Sequence, residues 1–428
     1  MAATEMRAHI AGVLRRAGVD AAVAALPAPA GYAVAGPDPV ATVLPRDEEA
    51  VCAIVGEARR DGWVLIVRGA GSRDGWGGVV RREPVVVLDT SELRGVVAHV
   101  PGDLTARVRP GTPLALLNAT LRPFGQFLAC DPPSAAATTV GGVVAADAWG
   151  PGRLLFGGPR DWTLGLRVVD GAGRSFQTGG HVVKNVSGLD IGKALVGSFG
   201  TLGVLTEVAV KLRPLAAATA CWSAVFPDAT AGWGVAQAIL SGAFQAVGVV
   251  LLPAPGGGVT VAARLEGARG QVARQLELLR GMSAGARPAL PAEEAWTNAH
   301  DPAGAEGATL LVRCDVPEGA LPELFRAAGE LPQPVRRTAW VGLGALWCAY
   351  GSTTLAAAPD ACLQTVRALR SAAEASGGRA VVAVSPGAIR QSAAPLGDPG
   401  DLLPFFRAIK GRFDPDGILA PGRCLGDL

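Results

Sequence analysis

The chain has 428 residues, of which 49% are apolar and 18% charged, with a formal net charge of +2. That length implies about two to three domains, and the apolar share excludes a globally disordered chain. No long run of one charge sign recommends nucleic acid or an acidic membrane surface as a partner.

Met1 to Gly18 places Glu5, Arg7, Arg15 and Arg16 among short apolar pieces, without the continuous apolar stretch of a signal peptide. A helix is expected over residues 45–62, opened by Pro45 and Asp47, with Val51, Ile54, Val55 and Ala58 on one face. The strand Val64–Val67 follows, then the glycine-rich run Arg68-Gly69-Ala70-Gly71-Ser72-Arg73-Asp74-Gly75-Trp76-Gly77-Gly78, then a second strand, Val85–Leu88. Residues 96–109 read as strand and turn. Thr112-Pro113 opens a helix carrying Leu114, Leu117 and Leu121 on one side. Short strands are expected at Gly165–Val169 and Ser175–Thr178. Gly203–Leu212 alternates, with Val204, Thr206, Val208, Val210 and Leu212 opposite Glu207 and Lys211.

The Ala-rich stretch 215–220 is the expected boundary to a second unit. There, helices Ala231–Ser241, Gly270–Leu279 and Pro359–Ser376 alternate with strands near Ala246–Leu252, Val259–Leu265, Thr309–Cys314 and Arg379–Val384. The end of the chain, Asp401–Leu428, holds one helix and a Pro/Gly tail. The longest apolar stretch, around Ala246–Leu252, is far short of the ~20 residues that a membrane helix needs. Seven cysteines without C-x-x-C spacing argue against a disulfide framework or an iron–sulfur motif. A cytoplasmic protein with no transmembrane segment is expected, peripheral to a membrane only through partners.

A glycine-rich loop after a strand lets backbone N–H groups approach an anion. Two standard forms fail here. G-x-G-x-x-G would need glycine at Asp74 and a helix after it, and a P-loop would need Gly-Lys-Ser/Thr. Three further clusters follow in order. The first is Asp131-Pro132-Pro133-Ser134 with Thr138-Thr139-Val140-Gly141-Gly142. The second is Lys184-Asn185-Val186-Ser187-Gly188-Leu189-Asp190, and the third is Gly197 through Thr206. Four loops of small and hydroxyl residues suit a long ligand threaded along backbone.

In that order the loops resemble the FAD domain of the vanillyl-alcohol-oxidase superfamily, the p-cresol-methylhydroxylase (PCMH) type. Arg68, Gly69, Ala70, Gly71 and Ser72 resemble the loop that wraps the pyrophosphate. Asp131 and Pro132 through Thr138, Thr139, Gly141 and Gly142 resemble the loop along pyrophosphate and flavin. Arg160-Asp161 resembles the superfamily's Arg-Asp motif. Gly200, Gly203, Val204 and Leu205 belong to a segment resembling the one whose backbone meets the isoalloxazine ring. The tail Phe413–Arg423 resembles the end of FAD-linked 2-hydroxy-acid oxidases. Within the superfamily, the first loop, the Val183–Gly188 run with Asn185 and Gly188, and Gly150-Pro151-Gly152-Arg153 look most like the glycolate oxidase FAD-binding subunit family. Leu189 and Ala420 depart from it, where relatives often carry tyrosine and asparagine.

The resemblance implies an α+β fold: a two-subdomain PCMH-type FAD-binding domain at 37–215, after an N-terminal segment 1–36. A smaller α+β cap domain at 216–400 follows, and a C-terminal segment 401–428 returns to the FAD domain. The first loop offers no histidine for a covalent link, so FAD is expected to be noncovalent, with Ser72, Thr138 and Thr139 hydroxyls assisting. Arg68 and Lys184 are either phosphate partners or solvated charges.

The implied reaction is oxidation of a 2-hydroxy acid, glycolate to glyoxylate, with hydride passing to flavin. No catalytic base stands out. His9, His99, His181 and His300 are scattered, without metal-ligand spacing, and no metal is expected. His300 either faces the flavin or is a loop histidine. Arg336, Arg337 and Arg390 are carboxylate clamps or surface charges. The run Asp414-Pro415-Asp416-Gly417 lacks the remaining ligands of a calcium loop and reads as a turn. The expected partners are a larger FAD-linked glycolate oxidase subunit, an iron–sulfur subunit and a small-molecule hydroxy acid. A self-sufficient oxidoreductase acting on another hydroxy acid or alcohol, and a non-catalytic assembly subunit, stay open.

Overall fold

The computed structural model describes residues 3–19, 33–180, 191–287, 289–302, 308–331, 334–351 and 359–425. Near the N-terminus, Asp47 accepts a hydrogen bond from Ala50 N at 2.7 Å and starts the helix Glu48–Asp61, and Gly62, at φ 74°, ends it. Its buried residues are Val51, Ile54, Val55 and Ala58, the face that the spacing predicts. They pack on a parallel three-stranded sheet ordered Ala41–Val43, Val85–Asp89, Val64–Arg68. The helix Ala3–Arg16 adds Ile10, Val13 and Leu14 to the same core.

A second sheet of five antiparallel strands is ordered Val96–Val100, Thr105–Val108, Val204–Lys211, Thr163–Val169, Ser175–Gly179. The helices Leu114–Leu121 and Val140–Ala145 cover one face through Leu114, Leu117, Leu121, Val140, Val143 and Val144. Val204–Lys211 departs from the two-faced strand that its alternation predicts. It runs through the middle of the sheet, and Glu207 is buried within reach of Arg107 (3.3 Å). Val204 joins the first core and Val208 and Val210 the second. Glu48 ties the two sheets together. It accepts from Arg167 at 2.6 and 3.1 Å and from Ser175 at 2.7 Å, and also from Thr206. The Arg167 hydrogen bonds lead in holding its carboxyl down to about 2, against the opposing effect of burial.

The largest sheet has seven strands, each antiparallel to its neighbours: Ala218–Phe226, Val259–Gly267, Ala246–Pro253, Arg336–Val341, Ala345–Gly351, Ala308–Asp315, Arg379–Val384. The stretch 215–220, expected as linker, already contains the start of a strand. Ala218, Thr219 and Ala220 pair with Gly267, Glu266 and Leu265, because short side chains fit a ladder as well as a loop. Strand alternation splits the apolar residues between two faces. Val249, Leu251, Ala339 and Val341 pack under helices through Ile239, Leu279, Phe325 and Leu369. Val250, Leu252, Trp340 and Trp347 face the other way and meet Trp76 and Trp149 of the loops before the cap.

After helix Leu403–Phe413 the tail returns to the first sheet, where Leu65 N donates to Ile418 O (2.8 Å) and Ala420 N to Leu65 O (2.9 Å). The buried Lys410 ammonium secures this return. It donates to Thr201 O at 2.7 Å, Leu419 O at 2.8 Å and Asp414 Oδ2 at 2.6 Å. Asp414 in turn accepts from Ile418 N and Leu419 N. Burial depresses the lysine pKa, with Asp414 opposing. The α+β architecture is the one expected. No helix among the described residues is long and apolar enough to cross a membrane.

Lys410→Met should lower the urea midpoint by the equivalent of about 3–5 kcal/mol, because it strands a buried carboxylate and two carbonyls. An unchanged midpoint would show that the tail is held by packing alone.

Candidate functional site

The first glycine loop leaves the carboxyl end of strand Val64–Arg68, the usual place for a ligand crevice in a parallel sheet. Arg68 Nε donates to Asp74 Oδ2 at 2.8 Å and folds the loop back on itself. Gly71 sits at φ 75°, where a Cβ would run into the Arg68 guanidinium. Arg73 is buried and reaches the second cluster, donating to Thr138 Oγ1 at 2.7 Å and Pro133 O at 3.0 Å. Burial lowers its pKa to about 10, so it stays charged at neutral pH. The tail closes the loop from behind: Gly78 N donates to Arg423 O (2.8 Å), and Arg423 Nη2 to Arg73 O (3.1 Å).

These contacts leave a groove with about 670 Å³ of open space. Its first wall is Arg68, Gly69, Ala70, Gly71 and Ser72, and its second is Thr139, Gly141, Gly142, Ala145 and Ala146. Gly200, Gly203 and Leu205 complete it, with Phe199 from the same cluster, Arg423 from the tail, and Pro110 and Thr90, which the sequence pattern does not single out. The backbones come close because glycine permits it. A Cβ on Gly69 would lie 2.5 Å from Thr139 Oγ1, and one on Gly141 would lie 2.6 Å from Pro110 Cβ.

Several predicted residues stand elsewhere. Val204 is core, Pro132 is buried behind the loop, and the Thr138 hydroxyl is engaged by Ser72 and Arg73. Asp161 Oδ2 accepts from Gly158 N at 2.7 Å and caps the turn Pro159–Trp162. Asp131 Oδ2 accepts from Gly152 N at 2.7 Å. Asn185 and Gly188, with His181 and Lys184, lie outside the described residues. Arg336 donates to Asp301 O, and Arg337 stacks on Phe325, so both serve the cap. Arg390 is buried against Ser385.

His300 Nε2 lies 2.8 Å from Asp131 O and 3.6 Å from Asp131 Oδ2, a tie between the cap helix Ala292–His300 and the second loop. Burial works against the imidazolium, but the hydrogen bond and charge of Asp131, with Asp301, raise its pKa overall.

A larger cavity adjoins the groove, sharing Ala146 and Phe199 with it. It holds about 1580 Å³ of open space between the loops and the cap sheet. Trp76, Trp149, Arg153 and Arg160 line one side, and Arg313, Asp315 and Arg379 come from the cap. Asp147 (φ 45°) and Phe199 (φ 54°) line it with left-handed backbones, a strain that tends to collect at functional sites. Among the described residues no histidine lines either cavity, and no cluster of three His, Cys, Asp or Glu could hold a metal ion.

The sequence profile of the FAD binding domain family matches residues 39–179, the segment that builds most of the groove. This chain carries an FAD binding domain. FAD is its cofactor, and the groove fits it. The amides of Gly69, Ala70, Gly71 and Ser72 have no acceptor among the described residues, which leaves donors for an anionic diphosphate. Glycolate oxidase subunit GlcE of Escherichia coli (strain K12) is 39% identical over 167 residues, 39% of this chain and 47% of that protein. A D-2-hydroxyglutarate dehydrogenase of Xanthomonas citri pv. viticola is 32% identical over 176 residues, 41% of this chain and 37% of that protein. The chain thus spans less than half the length of these curated relatives. The crystal structure of p-cresol methylhydroxylase with substrate bound superposes with a TM-score of 0.71 at 17% identity, over 97% of this chain and 96% of that one. Alkyldihydroxyacetonephosphate synthase gives 0.69 at 16% identity, over 91% and 78%. The domain therefore has the PCMH-type fold.

The His300 tie has a definite pH dependence. A raised folded pKa contributes stability that is complete below about 6.5 and is lost as pH rises through the folded value. The Tm deficit of His300→Gln should therefore be larger near about pH 6 than near about pH 9. An equal deficit at both would mean that the contact is not ionic.

Proposed function

We propose that the chain is the FAD-binding subunit of a glycolate-oxidase-like complex that converts a small 2-hydroxy acid, glycolate, to its 2-oxo acid. One observation carries this reading: the glycine-lined groove opens directly on a cavity lined by arginines. Similarity to glycolate oxidase subunit GlcE over 167 residues supports it. Bound FAD supplies the acceptor for the hydride that leaves the substrate α-carbon. Gly69, Ala70, Gly71 and Ser72 would hold the diphosphate through backbone N–H groups, across the groove from Thr139, Gly141 and Gly142. Gly200, Gly203 and Leu205, with Ala145 and Phe199, form an apolar wall that would exclude water from bound flavin. The link is noncovalent, since no histidine, cysteine or tyrosine lines the groove among the described residues.

The reaction needs a group to take the hydroxyl proton, and the second cavity offers no imidazole or lysine among its described lining residues. Its carboxylates are engaged with arginines: Asp315 with Arg313 and Arg379, Asp147 with Arg160 at 3.8 Å. This scarcity favours a chain that works beside a larger FAD-linked subunit and passes electrons to an iron–sulfur subunit. The alternative is a self-sufficient FAD-dependent oxidoreductase, favoured by the similarity to a D-2-hydroxyglutarate dehydrogenase.

Glycolate-dependent dye reduction separates the two. The FAD-loaded chain alone should reduce dye at a small fraction of the rate seen when it is co-purified with its two partner subunits. Full turnover by the chain alone would contradict the dependent-subunit reading.

A further inference from the structure

Trp149 lines the second cavity three residues beyond Ala146, which belongs to both cavities. The Arg153 guanidinium lies over its ring at 4.6 Å, and the Arg313 guanidinium lies over the same ring at 4.8 Å. Two cations held on one indole must be stabilised by the ring's quadrupole, because they repel each other. Their other partners differ. Arg313 is buried, stacks also on Trp347 at 5.6 Å, and donates to Asp315 Oδ2 at 3.1 Å, so its charge is compensated. The Arg153 guanidinium makes no hydrogen bond or ion pair among the described residues, although it lines the cavity and the residue is half-buried. A guanidinium fixed by stacking keeps its planar fork free for a carboxylate.

We propose that Arg153 is the specificity-determining residue for the substrate carboxylate, and that Trp149 positions it with Arg313 as the fixed counter-pillar. This rests on the 2-hydroxy-acid reading of the site. The stack explains why an arginine without a carboxylate partner stands beside the flavin groove: the missing anion is the substrate. It also makes the cavity select by charge, since an uncharged α-hydroxy compound leaves Arg153 without its anion.

Calorimetric titration of the FAD-saturated full chain with glycolate, and in parallel with uncharged glycolamide, tests this. Wild type should bind glycolate saturably. Arg153→Gln should weaken glycolate by about ten- to a hundredfold, the usual effect of losing a charged hydrogen bond, and leave glycolamide unchanged. Equal glycolate affinity in the two proteins, no saturable glycolate binding by wild type, or an equal loss for glycolamide would each overturn the proposal. Should the glutamine variant fail to fold, Arg153→Lys decides. It keeps the charge but not the fork, so severalfold weaker glycolate binding supports the assignment and unchanged affinity overturns it. FAD content is read first by absorbance. A chain that takes up no FAD sinks the flavoprotein reading and this assignment with it, while a flavin-loaded chain that fails the calorimetric comparison overturns the arginine assignment alone.

Discussion

Two small sheets must be held at a fixed separation for a groove to exist between them, and the buried Lys410–Asp414 pair is where that is enforced. Lys410 reaches Thr201 O, one residue beyond the groove glycine Gly200, and Leu419 O, on the tail beside Leu65. Asp414 closes on the tail amides and sits against Gly171, whose N–H donates to Phe413 O at 2.7 Å. One ion pair thus fixes the groove wall, the end of the second sheet and the strand that launches the first glycine loop. A buried pair is not favourable merely by being ionic. This one uses the donors of the ammonium on three acceptors, so little of its desolvation goes uncompensated.

The same logic runs through the loops. Arg68 with Asp74 shapes the first loop, Arg73 fastens it to the second, and Arg423 braces it from the tail. Arginine suits this because its several donors satisfy backbone and side-chain oxygens at once. The loop amides at 69–72 are then left for a ligand rather than for the protein. On the cap side, a tryptophan network replaces polar ties: Trp76 with Trp347, Trp347 with Trp340, and Trp340 with Trp149, at 6.1, 5.3 and 5.5 Å between ring centroids. It packs the cap sheet against the loops while leaving the second cavity open beside it.

Much of the FAD-binding part is legible in the sequence because its information is local. Glycine, proline and hydroxyl residues declare turns, and the helix Glu48–Asp61 declares itself by cap and periodicity. The groove residues at 68–72, 139, 141, 142, 200, 203 and 205 come from such segments. What stays hidden is tertiary. Nothing near Thr138 reveals that its hydroxyl serves Arg73, or that Asp131 and Asp161 bind backbone amides. The cap hairpin Arg336–Val341 and Ala345–Gly351 is hidden for another reason. Its strands are covered on both faces, so their apolar runs lack the alternation that marks a half-exposed strand. The strand beginning at Ala218 looks like a linker for want of large side chains.

FAD held in this groove by backbone donors, with no covalent link, is released by acid. Acid precipitation of the purified, FAD-saturated chain, followed by absorbance of pellet and supernatant, tests this. The expected result is a colourless pellet and stoichiometric FAD in the supernatant. A yellow pellet would contradict the noncovalent link, and a folded chain that takes up no flavin would contradict the claim as a whole.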